Sequence, residues 1–328
     1  MPRVSVIIPA FNAAAFLEVA LASVAAQTFR DFEVVVVDDR STDGTQALAQ
    51  SLLASLNLAG RVIHRPAGFR QGAGGARNAG AAVASGRILA FLDSDDAWVS
   101  GHLARAVLRL EDSAASVVAY CARASAHNPA TGKAHLIPFG GYPCEGGCEM
   151  RGVLLTGMII PNVTLCVTVD AFRRAGGYAE DLVCYEDWWL VLQLATLGKF
   201  FVDPAIGCNV LIREQSLSNT TNSRGTPAMS PAMFRDALRF VSKNYTRGGL
   251  RKNEIRVLED TVAVFMASQL FAAMRARMPR ETLTIFGLIM GELPRLPRLT
   301  RRIMLQTAGR CAALVWSKVR PFKVEPET

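Results

Sequence analysis

The chain has 328 residues, of which 50% are hydrophobic, 20% charged and 8% aromatic. Such a composition can bury a large core, which excludes a disordered chain, a collagen-like chain and a small disulfide scaffold. The formal net charge is +8, yet residues 275–328 hold eleven basic and four acidic side chains, which leaves about +1 for the rest. A nucleic-acid-binding protein spreads its basic residues over the folded body, so we expect no nucleic-acid partner.

The seven cysteines are an odd number without paired spacing, which argues against a disulfide framework and favours a reducing compartment. Residues 1–8 lack the charged region and long apolar run of a signal peptide. No segment reaches the roughly 18 uninterrupted apolar residues of a spanning helix. The sequence therefore predicts a cytoplasmic protein, with peripheral attachment to the inner face of the cytoplasmic membrane as an open alternative.

Strands and helices alternate through the first hundred residues. Near-continuous β-branched runs predict buried strands, and alanine- and leucine-rich stretches between them predict helices. Four such units are typical of an α/β fold with a Rossmann-like, doubly wound, mostly parallel sheet, in which ligands bind at the carboxyl ends of the strands. The predicted strands are Val4–Ile8, Phe32–Val37, Arg61–His64 and Arg87–Leu92, and the predicted helices are 16–26, 46–56 and, after a glycine-rich turn, 77–85.

The alternation loosens after Gly101. A glycine- and proline-rich stretch over 127–147 has the composition of a flexible binding loop, and residues from about 230 onward are predicted to be helical. The remaining predicted elements are strands at Val117–Cys121, 153–169 and 200–212, and helices at 101–112, 187–197 and 254–277.

Acidic residues follow the second and fourth predicted strands. Asp38 and Asp39 come after the second, and Asp93, Asp95 and Asp96 after the fourth. Carboxylates crowded at neighbouring strand ends repel one another unless a cation or hydrogen-bond donors lie among them, and hard oxygen ligands suit Mg²⁺ or Mn²⁺. Acidic residues at such positions are also common as solvated turns or helix caps, so both interpretations stay open.

Two phosphate-binding motifs are excluded by single residues. A nicotinamide-binding Rossmann motif needs glycines directly after the first strand, where this chain has Pro9. In the run that begins at Gly72, Arg77 stands at the third glycine position of that motif. A P-loop beginning at Gly75 has Ala81 where lysine is required. A dehydrogenase and a P-loop nucleotidase are therefore not predicted.

An ordered set of segments resembles the large family 2 of inverting glycosyltransferases, over roughly residues 3–218. Any one segment is weak, but their order and spacing together are highly specific. The resemblance implies an α/β GT-A fold, a nucleotide-sugar donor and a divalent cation. The matching segments are Val4–Asn12, Gln27–Phe29, Val36–Thr45, Gly75–Gly80, Ala84–Arg87, Phe91–Trp98, Gly176–Tyr178 and Glu186–Trp188.

The resemblance also implies a division of the chain. Residues 1–100 would form the nucleotide-sugar-binding half of the GT-A domain, residues 101–218 its acceptor-binding half, and residues 219–328 a helical C-terminal region. The division predicts that donor contacts come from the first half and acceptor contacts from the second.

Donor-side roles follow from the same resemblance. Pro9, Ala10 and Phe11 resemble the donor-site loop, with Phe11 placed to pack on the nucleobase. Asp38 resembles the family's base-reading carboxylate, which accepts a hydrogen bond from a uracil-type imide N–H, and a plain strand-end turn is the alternative. Arg77 is predicted to approach the nucleotide or its phosphates, or else to brace the glycine-rich turn.

The segment Asp93–Asp95 resembles the D-x-D motif of these enzymes. Asp95 is predicted to ligate Mn²⁺ or Mg²⁺ directly. Asp93 is predicted to lie toward the ribose or the outer shell of the metal, and the Ser94 backbone near the nucleotide. A cation bridging both phosphates would stabilise the charge that develops on the leaving oxygen. Asp96 is interpreted as a helix cap rather than a ligand.

The pair Glu186 and Asp187 resembles the acidic pair of the acceptor side. Asp187 is predicted to be the general base that takes the proton of the acceptor hydroxyl, so that attack on the anomeric carbon inverts its configuration. Glu186 would hold the acceptor or be structural. Trp188 and Trp189 are interpreted as core residues, with stacking on an acceptor sugar as the alternative.

Two departures from the family pattern refine the prediction. Processive polysaccharide synthases carry Gln-x-x-Arg-Trp after the acidic pair, whereas Gln193 here is followed by Leu-Ala-Thr196, which favours transfer of a single sugar. Many single-transfer members have a histidine where this chain has Arg213. Arginine cannot ligate a metal, so the chain would lack this protein ligand, and Arg213 could instead bind the diphosphate.

The basic C-terminal segment has helical periodicity. Over residues 299–320, basic residues lie opposite an apolar stripe, a pattern that suits either an anionic membrane surface or a helix packed on the body with a solvated basic face. The apolar stripe consists of Met304, Leu305, Ala308, Cys311, Ala312, Val315, Trp316 and Val319.

Together these observations predict a metal-dependent, inverting glycosyltransferase that is not processive. It would move one sugar from a nucleotide-sugar, favoured as a UDP-sugar, to a saccharide or lipid-linked acceptor in surface polysaccharide or glycolipid assembly. A catalytically silent nucleotide-sugar-binding or scaffold subunit is the alternative from another class. A nucleotidyltransferase, the rival among enzymes, would need a nucleoside triphosphate and release pyrophosphate.

Overall fold

A computed structural model describes residues 1–111, 117–129, 131–137, 147–148, 150, 154, 160–182, 184–212, 231–247, 250–275, 287 and 296–318. The chain separates into two compact units, Met1–Ser216 and Leu217–Thr328. The first unit contains the mixed sheet and the residues predicted to form the site, and the second is described by helices.

The first part of the sheet is parallel. Val- and Ile-rich strands lie at its centre because helices cover both faces, so their side chains are buried in near-continuous runs. The strand order is β3-β2-β1-β4, with all three pairings parallel. These strands are β1 (Val4–Ala10), β2 (Phe32–Asp38), β3 (Gly60–His64) and β4 (Ile88–Phe91), and the intervening helices are α1 (Leu17–Ala25), α2 (Thr45–Ser55) and α3 (Ala73–Val83).

The sheet continues with strands of mixed direction. Strand β9 (Cys166–Thr168) pairs antiparallel with both β4 and β6 (Val117–Asn128), and β6 pairs parallel with β10 (Lys199–Leu211). Short β-ribbons extend this half through antiparallel pairs. The other elements here are β5 (Ala97–Trp98), β7 (Lys133–Leu136), β8 (Gly147–Cys148), α4 (His102–Leu110), α5 (Val169–Ala175) and α6 (Glu186–Leu194).

Helix α3 begins at Ala73, four residues earlier than predicted, so the glycine-rich stretch is helical rather than a turn. Glycine disfavours a helix interior by about 1 kcal/mol, which is why composition indicated a turn. Close packing requires two of these glycines. A Cβ on Gly75 would lie 1.8 Å from the Arg70 carbonyl oxygen, and one on Gly80 would lie 2.5 Å from Ile7 Cγ2. The missing side chain of Gly75 leaves room for the backbone of Arg70, and that of Gly80 lets α3 lie directly on β1.

Strand β6 is seven residues longer than predicted. It runs past Cys121 to Asn128 because it is paired along its length with β10, whose register shifts near Asp203 and Ile206 keep the two strands together. The predicted binding loop over 127–147 therefore starts with a hairpin of β6 and β7. Residues 138–146 of that loop lie outside the described residues.

The predicted strand over 153–169 is shorter in the structure. A 3₁₀ turn at Asn162–Thr164 precedes the three residues of β9, and Val169 already begins α5, which the Thr168 hydroxyl caps by accepting the Ala171 backbone N–H. Most of residues 151–159 lie outside the described residues.

The second unit is described as three helices: α7 (Pro231–Arg247), α8 (Lys252–Arg275) and α9 (Pro297–Lys318). Helix α8 confirms the predicted helix over 254–277. Proline at the first position of α9 suits a helix start, where its missing N–H has no partner to lose. Among the described residues, none of the helices combines the length and the apolar character needed to cross a membrane.

Candidate active site

The loops that follow β1 and β2 are tied together by hydrogen bonds. The Asn12 backbone N–H donates to Ser41 Oγ over 2.9 Å, and the Thr42 N–H donates to Asn12 Oδ1 over 2.9 Å. The Ala13 N–H donates to the buried Thr45 Oγ1 over 2.8 Å. Asn12 adopts a left-handed φ of +49°, which asparagine tolerates better than most residues. These contacts fix the edge of the sheet where the predicted donor site lies.

The predicted donor-site loop begins at Phe11 rather than at Pro9. Pro9 and Ala10 are the last residues of β1 and lie opposite Val37 and Asp38 of β2. The strand tolerates Pro9 because a proline removes only its own N–H from the hydrogen-bond ladder. Ala10 is buried and its carbonyl accepts the Asp39 N–H over 2.8 Å. Phe11 is 55% exposed at the strand end, so its ring is available to a ligand.

Asp38 lies buried at the end of β2. Both of its carboxylate oxygens lie 3.3 Å from the Ser41 backbone N–H, and Oδ2 lies 3.3 Å from Nδ1 of the exposed His64. The contact with Ser41 is the strand-end turn that was the alternative to base reading. His64, the last residue of β3, was not predicted as part of this edge.

Asp39 stabilises the segment that leads into α3. Its carboxylate pairs with the buried Arg65 guanidinium and accepts the Gly72 backbone N–H over 2.7 Å. Arg65 also donates to the Phe69 carbonyl. Sequence reasoning missed this pair because Arg65 lies 26 residues from Asp39 and carries no motif. Asp39, one of the five carboxylates that follow the second and fourth predicted strands, therefore has its negative charge balanced by a buried arginine.

Arg77 joins a residue predicted for the donor side to one predicted for the acceptor side. Its Nη2 donates to Asp93 Oδ1 over 2.6 Å, and its Nη1 donates to Glu186 Oε1 over 3.1 Å. The guanidinium is buried and lies over the Tyr178 ring, 5.2 Å from its centroid. Its Nε is buried without a hydrogen-bond partner among the described residues. The structure thus brings Arg77, Asp93 and Glu186 together from α3, the end of β4 and the start of α6.

A second set of contacts holds the segment 177–180 against α3 and the residues before it. Asn78 accepts the Tyr178 backbone N–H over 2.9 Å and donates to Glu180 Oε1 over 2.8 Å, while Glu180 Oε2 accepts the Arg70 N–H over 2.7 Å. Gly177 precedes Tyr178 with φ +69°, and a Cβ there would lie 2.6 Å from Asn78 Oδ1. No role was predicted for this segment, although Gly176–Tyr178 is among the segments that carry the resemblance.

Ser94, Asp95 and Asp96 follow Asp93 in the loop between β4 and β5. Ser94 and Asp95 are partly exposed, whereas Asp96 is buried and accepts the Leu211 backbone N–H over 2.9 Å, so it ties this loop to β10 and is not a helix cap. The interpretation of Asp96 as a cap is therefore wrong, because the next residues form β5 and not a helix.

The donor set here fits a hard divalent cation that also takes substrate oxygens. Within the residues that the structure describes, no three His, Cys, Asp or Glu side chains converge on a cation position. Mg²⁺ is commonly bound by one or two carboxylates together with substrate phosphates, and Asp93 and Asp95 match that number. Arg77 occupies one oxygen of Asp93, which leaves the other oxygen of that carboxylate for a cation. Arg213 lies outside the described residues.

Glu186 and Asp187 open α6. Burial and the neighbouring Asp187 carboxylate raise the pKa of Glu186 to about 7, although Arg77 acts in the opposite direction. Burial likewise raises the pKa of Asp187, against the Trp188 N–H, which donates to Asp187 Oδ1 over 2.7 Å. A carboxylate with a raised pKa is a stronger base than one in water, so both groups suit proton transfer.

Trp188 and Trp189 are core residues. They are 6% and 2% exposed, and the Trp188 indole N–H donates to the Leu154 carbonyl over 2.7 Å. Their burial leaves no ring face for an acceptor sugar, which confirms the core interpretation. Gln193 is also buried, at 3% exposed.

Comparison with known proteins finds a family match for the first part of the chain. Residues 5–156 match the family model described as Glycosyl transferase family 2. A GalNAc(5)-diNAcBac-PP-undecaprenol beta-1,3-glucosyltransferase of Campylobacter jejuni is 36% identical over 121 residues, which cover 37% of this chain and 38% of the relative. The Escherichia coli UDP-Glc:alpha-D-GlcNAc-diphosphoundecaprenol beta-1,3-glucosyltransferase WfaP is 35% identical over 111 residues, which cover 34% and 42% of the two chains. This chain thus spans about two fifths of the length of these relatives.

A solved structure extends the likeness to the fold. The crystal structure of Staphylococcus aureus TarS 1–349 in complex with UDP-GlcNAc matches with a TM-score of 0.64 at 17% identity, over 98% of this chain and 93% of that chain. Together with the parallel β3-β2-β1-β4 order, this likeness confirms the predicted α/β fold of the GT-A type. Glu186 and Asp187 lie beyond the residues that the family model matches.

Proposed function

We propose that this chain, whose residues 5–156 match the model of glycosyltransferase family 2, transfers one sugar from a nucleotide-sugar to a lipid-linked or saccharide acceptor. The observation that carries the proposal is the Arg77 bridge, which holds a strand-end carboxylate of the donor side, Asp93, and a carboxylate of the acceptor side, Glu186, on one guanidinium. A sugar transfer needs these two sides within reach of one anomeric carbon.

The names of the relatives support the substrate class. Both the C. jejuni and the E. coli relative act, by name, on acceptors carried by a diphosphate-linked undecaprenol, and the E. coli relative uses UDP-Glc. We extend that chemistry to this chain as a UDP-sugar donor and a lipid-linked acceptor in the assembly of a surface polysaccharide or glycolipid.

On the donor side, the exposed Phe11 ring would stack on the nucleobase and the Asp38 carboxylate would accept the imide N–H of uracil. Ser94 would offer its backbone to the nucleotide. Asp95 and Asp93 would hold Mn²⁺ or Mg²⁺ with the diphosphate. When bound, such a cation stabilises the negative charge of the leaving nucleoside diphosphate.

On the acceptor side, Asp187 would be the general base. As the acceptor oxygen forms its bond to the anomeric carbon, the bond from that carbon to the diphosphate oxygen breaks on the opposite face, and the hydroxyl proton passes to an Asp187 carboxylate oxygen. The raised pKa of Asp187 favours this proton transfer. Glu186 is held by Arg77 and would orient the acceptor. Because attack and departure occur on opposite faces, this single displacement would invert the configuration at the anomeric carbon.

The test is transfer of radiolabelled sugar from a panel of UDP- and GDP-sugars with Mn²⁺ to an undecaprenyl-diphosphate-linked saccharide. Asp187→Asn should lower the rate by at least about 100-fold while donor binding in calorimetry changes little, because only the base is lost. Asp170→Asn, an exposed carboxylate on α5, is the matched control and should keep full activity. Donor binding without turnover by the wild-type chain, and an Asp187→Asn variant that behaves like wild type, would instead indicate a silent binding subunit.

A further inference from the structure

Helix α9 has a second apolar face that no other described element covers. Leu299, Ile303 and Thr307 are buried against α8 and form its inner face. We define the outer face as Arg301, Met304, Leu305 and Ala308, all of which are exposed, with Leu305 at 58% and Met304 at 36%.

The two faces lie on opposite sides of the helix. At about 100° per residue, the four outer residues fall within an arc of about 100°, and the centres of the two arcs are about 150° apart. The apolar stripe predicted from the sequence is therefore the exposed side of α9 over the part whose side chains are described, whereas packing on α8 uses residues outside that stripe. The same spacing continues in the sequence with Ala312, Val315 and Trp316.

The charge of α9 is of one sign. Its sequence contains Arg298, Arg301, Arg302, Arg310 and Lys318 and no acidic residue. Arg298 pairs with Glu259 over 3.2 Å and Arg302 with Asp260 over 2.9 Å, so acidic residues of α8 partner both guanidinium groups. Their side chains remain 43% and 44% exposed. Arg301 lies on the outer face itself and is exposed.

We propose that the outer face of α9 docks on the surface of an anionic lipid bilayer. Leu305 and Met304 would enter the boundary between headgroups and acyl chains, and Arg301 on the same face would pair with lipid phosphates, which is the arrangement of interfacial amphipathic helices. Basic residues near such a surface strengthen its attraction to anionic lipids. A second copy of the chain fits less well, because a symmetric contact would place the exposed Arg301 side chains against one another.

The docking deepens the proposed function, since an acceptor on a lipid is found only at a membrane. The experiment is flotation of the full chain with vesicles of phosphatidylcholine and phosphatidylglycerol at about 3:1, and with pure phosphatidylcholine. Wild type should bind the anionic vesicles at least tenfold more strongly than the neutral ones. Leu305→Glu should lower anionic binding at least tenfold, and Arg301→Gln about fivefold.

Val257→Glu is the matched control, because Val257 is a similarly exposed apolar residue on α8, at 42%. It should bind like wild type, and equal thermal unfolding of the variants shows that each is folded. Unchanged binding by Leu305→Glu, or a dimer that Leu305→Glu dissociates in solution, would overturn the proposal. The assay contains neither donor nor acceptor, so its failure is distinct from a failure of sugar transfer.

Discussion

Arg77 is buried among more negative charge than it can neutralise. It bonds Asp93 and Glu186. The Asp187 carboxylate raises the pKa of Glu186, and the Asp93 carboxylate raises the pKa of Asp187. Attraction to these carboxylates raises the pKa of Arg77 against the effect of burial, so the guanidinium stays charged. Its planar fork can serve two carboxylates at once, which a point charge cannot do.

Arg77→Lys should therefore lower kcat by about 10- to 100-fold and change the donor Kd by less than about threefold. An ammonium keeps the charge but does not hold Asp93 and Glu186 in one fixed geometry, and small misplacements of reacting groups cost rates of this size. Steady-state kinetics and calorimetry measure the two effects. Arg87→Lys, an exposed arginine paired with Glu111, is the control. A large loss of donor affinity with kcat retained would mean that Arg77 binds the nucleotide instead.

Glu186 should make folding less favourable as the pH rises. Its folded pKa, about 7, lies above the ordinary value of 4.5, so between these pH values the folded chain binds more protons than the unfolded chain. The free energy of unfolding then falls with increasing pH over that window, at about 1.4 kcal/mol for each pKa unit that separates the two states. Glu186→Gln removes this contribution.

Urea unfolding at pH 5 and pH 8 measures it as a difference between wild type and Glu186→Gln. Relative to wild type, the variant should gain stability from pH 5 to pH 8. The comparison of two chains is needed because the buried His102, whose pKa is lowered to about 3 by burial, acts in the opposite direction over part of this range. An identical pH dependence in both chains would contradict the raised pKa of Glu186.

Single residues also show where sequence reasoning ends. Asp93, Glu186 and Asp187 were predicted from motifs, and the structure brings Asp93 and Glu186 to one guanidinium. The Arg77 bridge itself was not predicted, because its partners lie 16 and 109 residues away and their meeting depends on how α3 and α6 pack. Asp39 was grouped with the metal-binding carboxylates, since nothing in its sequence neighbourhood shows the buried Arg65 that satisfies it.

At the scale of elements, helix α3 depends on the absence of side chains. Alternation of β-branched and alanine-rich runs was enough to predict the four parallel strands and the helices between them. The predicted start of α3 was wrong. Intrinsic propensity disfavours glycine in a helix, whereas tertiary packing against β1 favours glycine within α3. Likewise, the length of β6 follows from its pairing with β10, a contact remote in sequence.

Gly80→Ala should destabilise the fold by about 1 to 3 kcal/mol, although alanine is the better helix former. The new Cβ would lie 2.5 Å from Ile7 Cγ2 and 3.0 Å from Val37 Cγ2, so β1 and β2 would have to move. Urea unfolding measures the loss. Gly68→Ala is the control, because a Cβ there meets nothing within 4 Å, and its effect should stay within about 0.5 kcal/mol. A stabilised Gly80→Ala would show that α3 does not press on the sheet as described.

At the scale of the whole molecule, the proposed donor site lies within the unit Met1–Ser216 and the proposed docking face within Leu217–Thr328. A ligand that binds only the folded first unit should raise the melting temperature of that unit by mass action. The division predicted at residue 100 within the sheet stays a prediction.

UDP with Mn²⁺, at about 100 times its Kd, should stabilise the first unit by about 2.7 kcal/mol, or roughly 5 to 10 °C in melting temperature. Differential scanning fluorimetry of the full chain measures the shift. Asp95→Asn should lose the part of the shift that needs Mn²⁺, whereas Asp170→Asn should keep all of it. A shift that is equal with Mn²⁺ and with EDTA would contradict the role proposed for Asp95.

The outer face of α9 carries a consequence for how the rate would be governed. A chain held on a bilayer by Leu305, Met304 and Arg301 meets its acceptor by lateral diffusion within a plane. Its velocity then follows the mole fraction of acceptor among the lipids rather than the amount of acceptor per volume of solution. Diluting the acceptor with inert anionic lipid would slow transfer even at constant total acceptor, in the manner of surface-dilution kinetics.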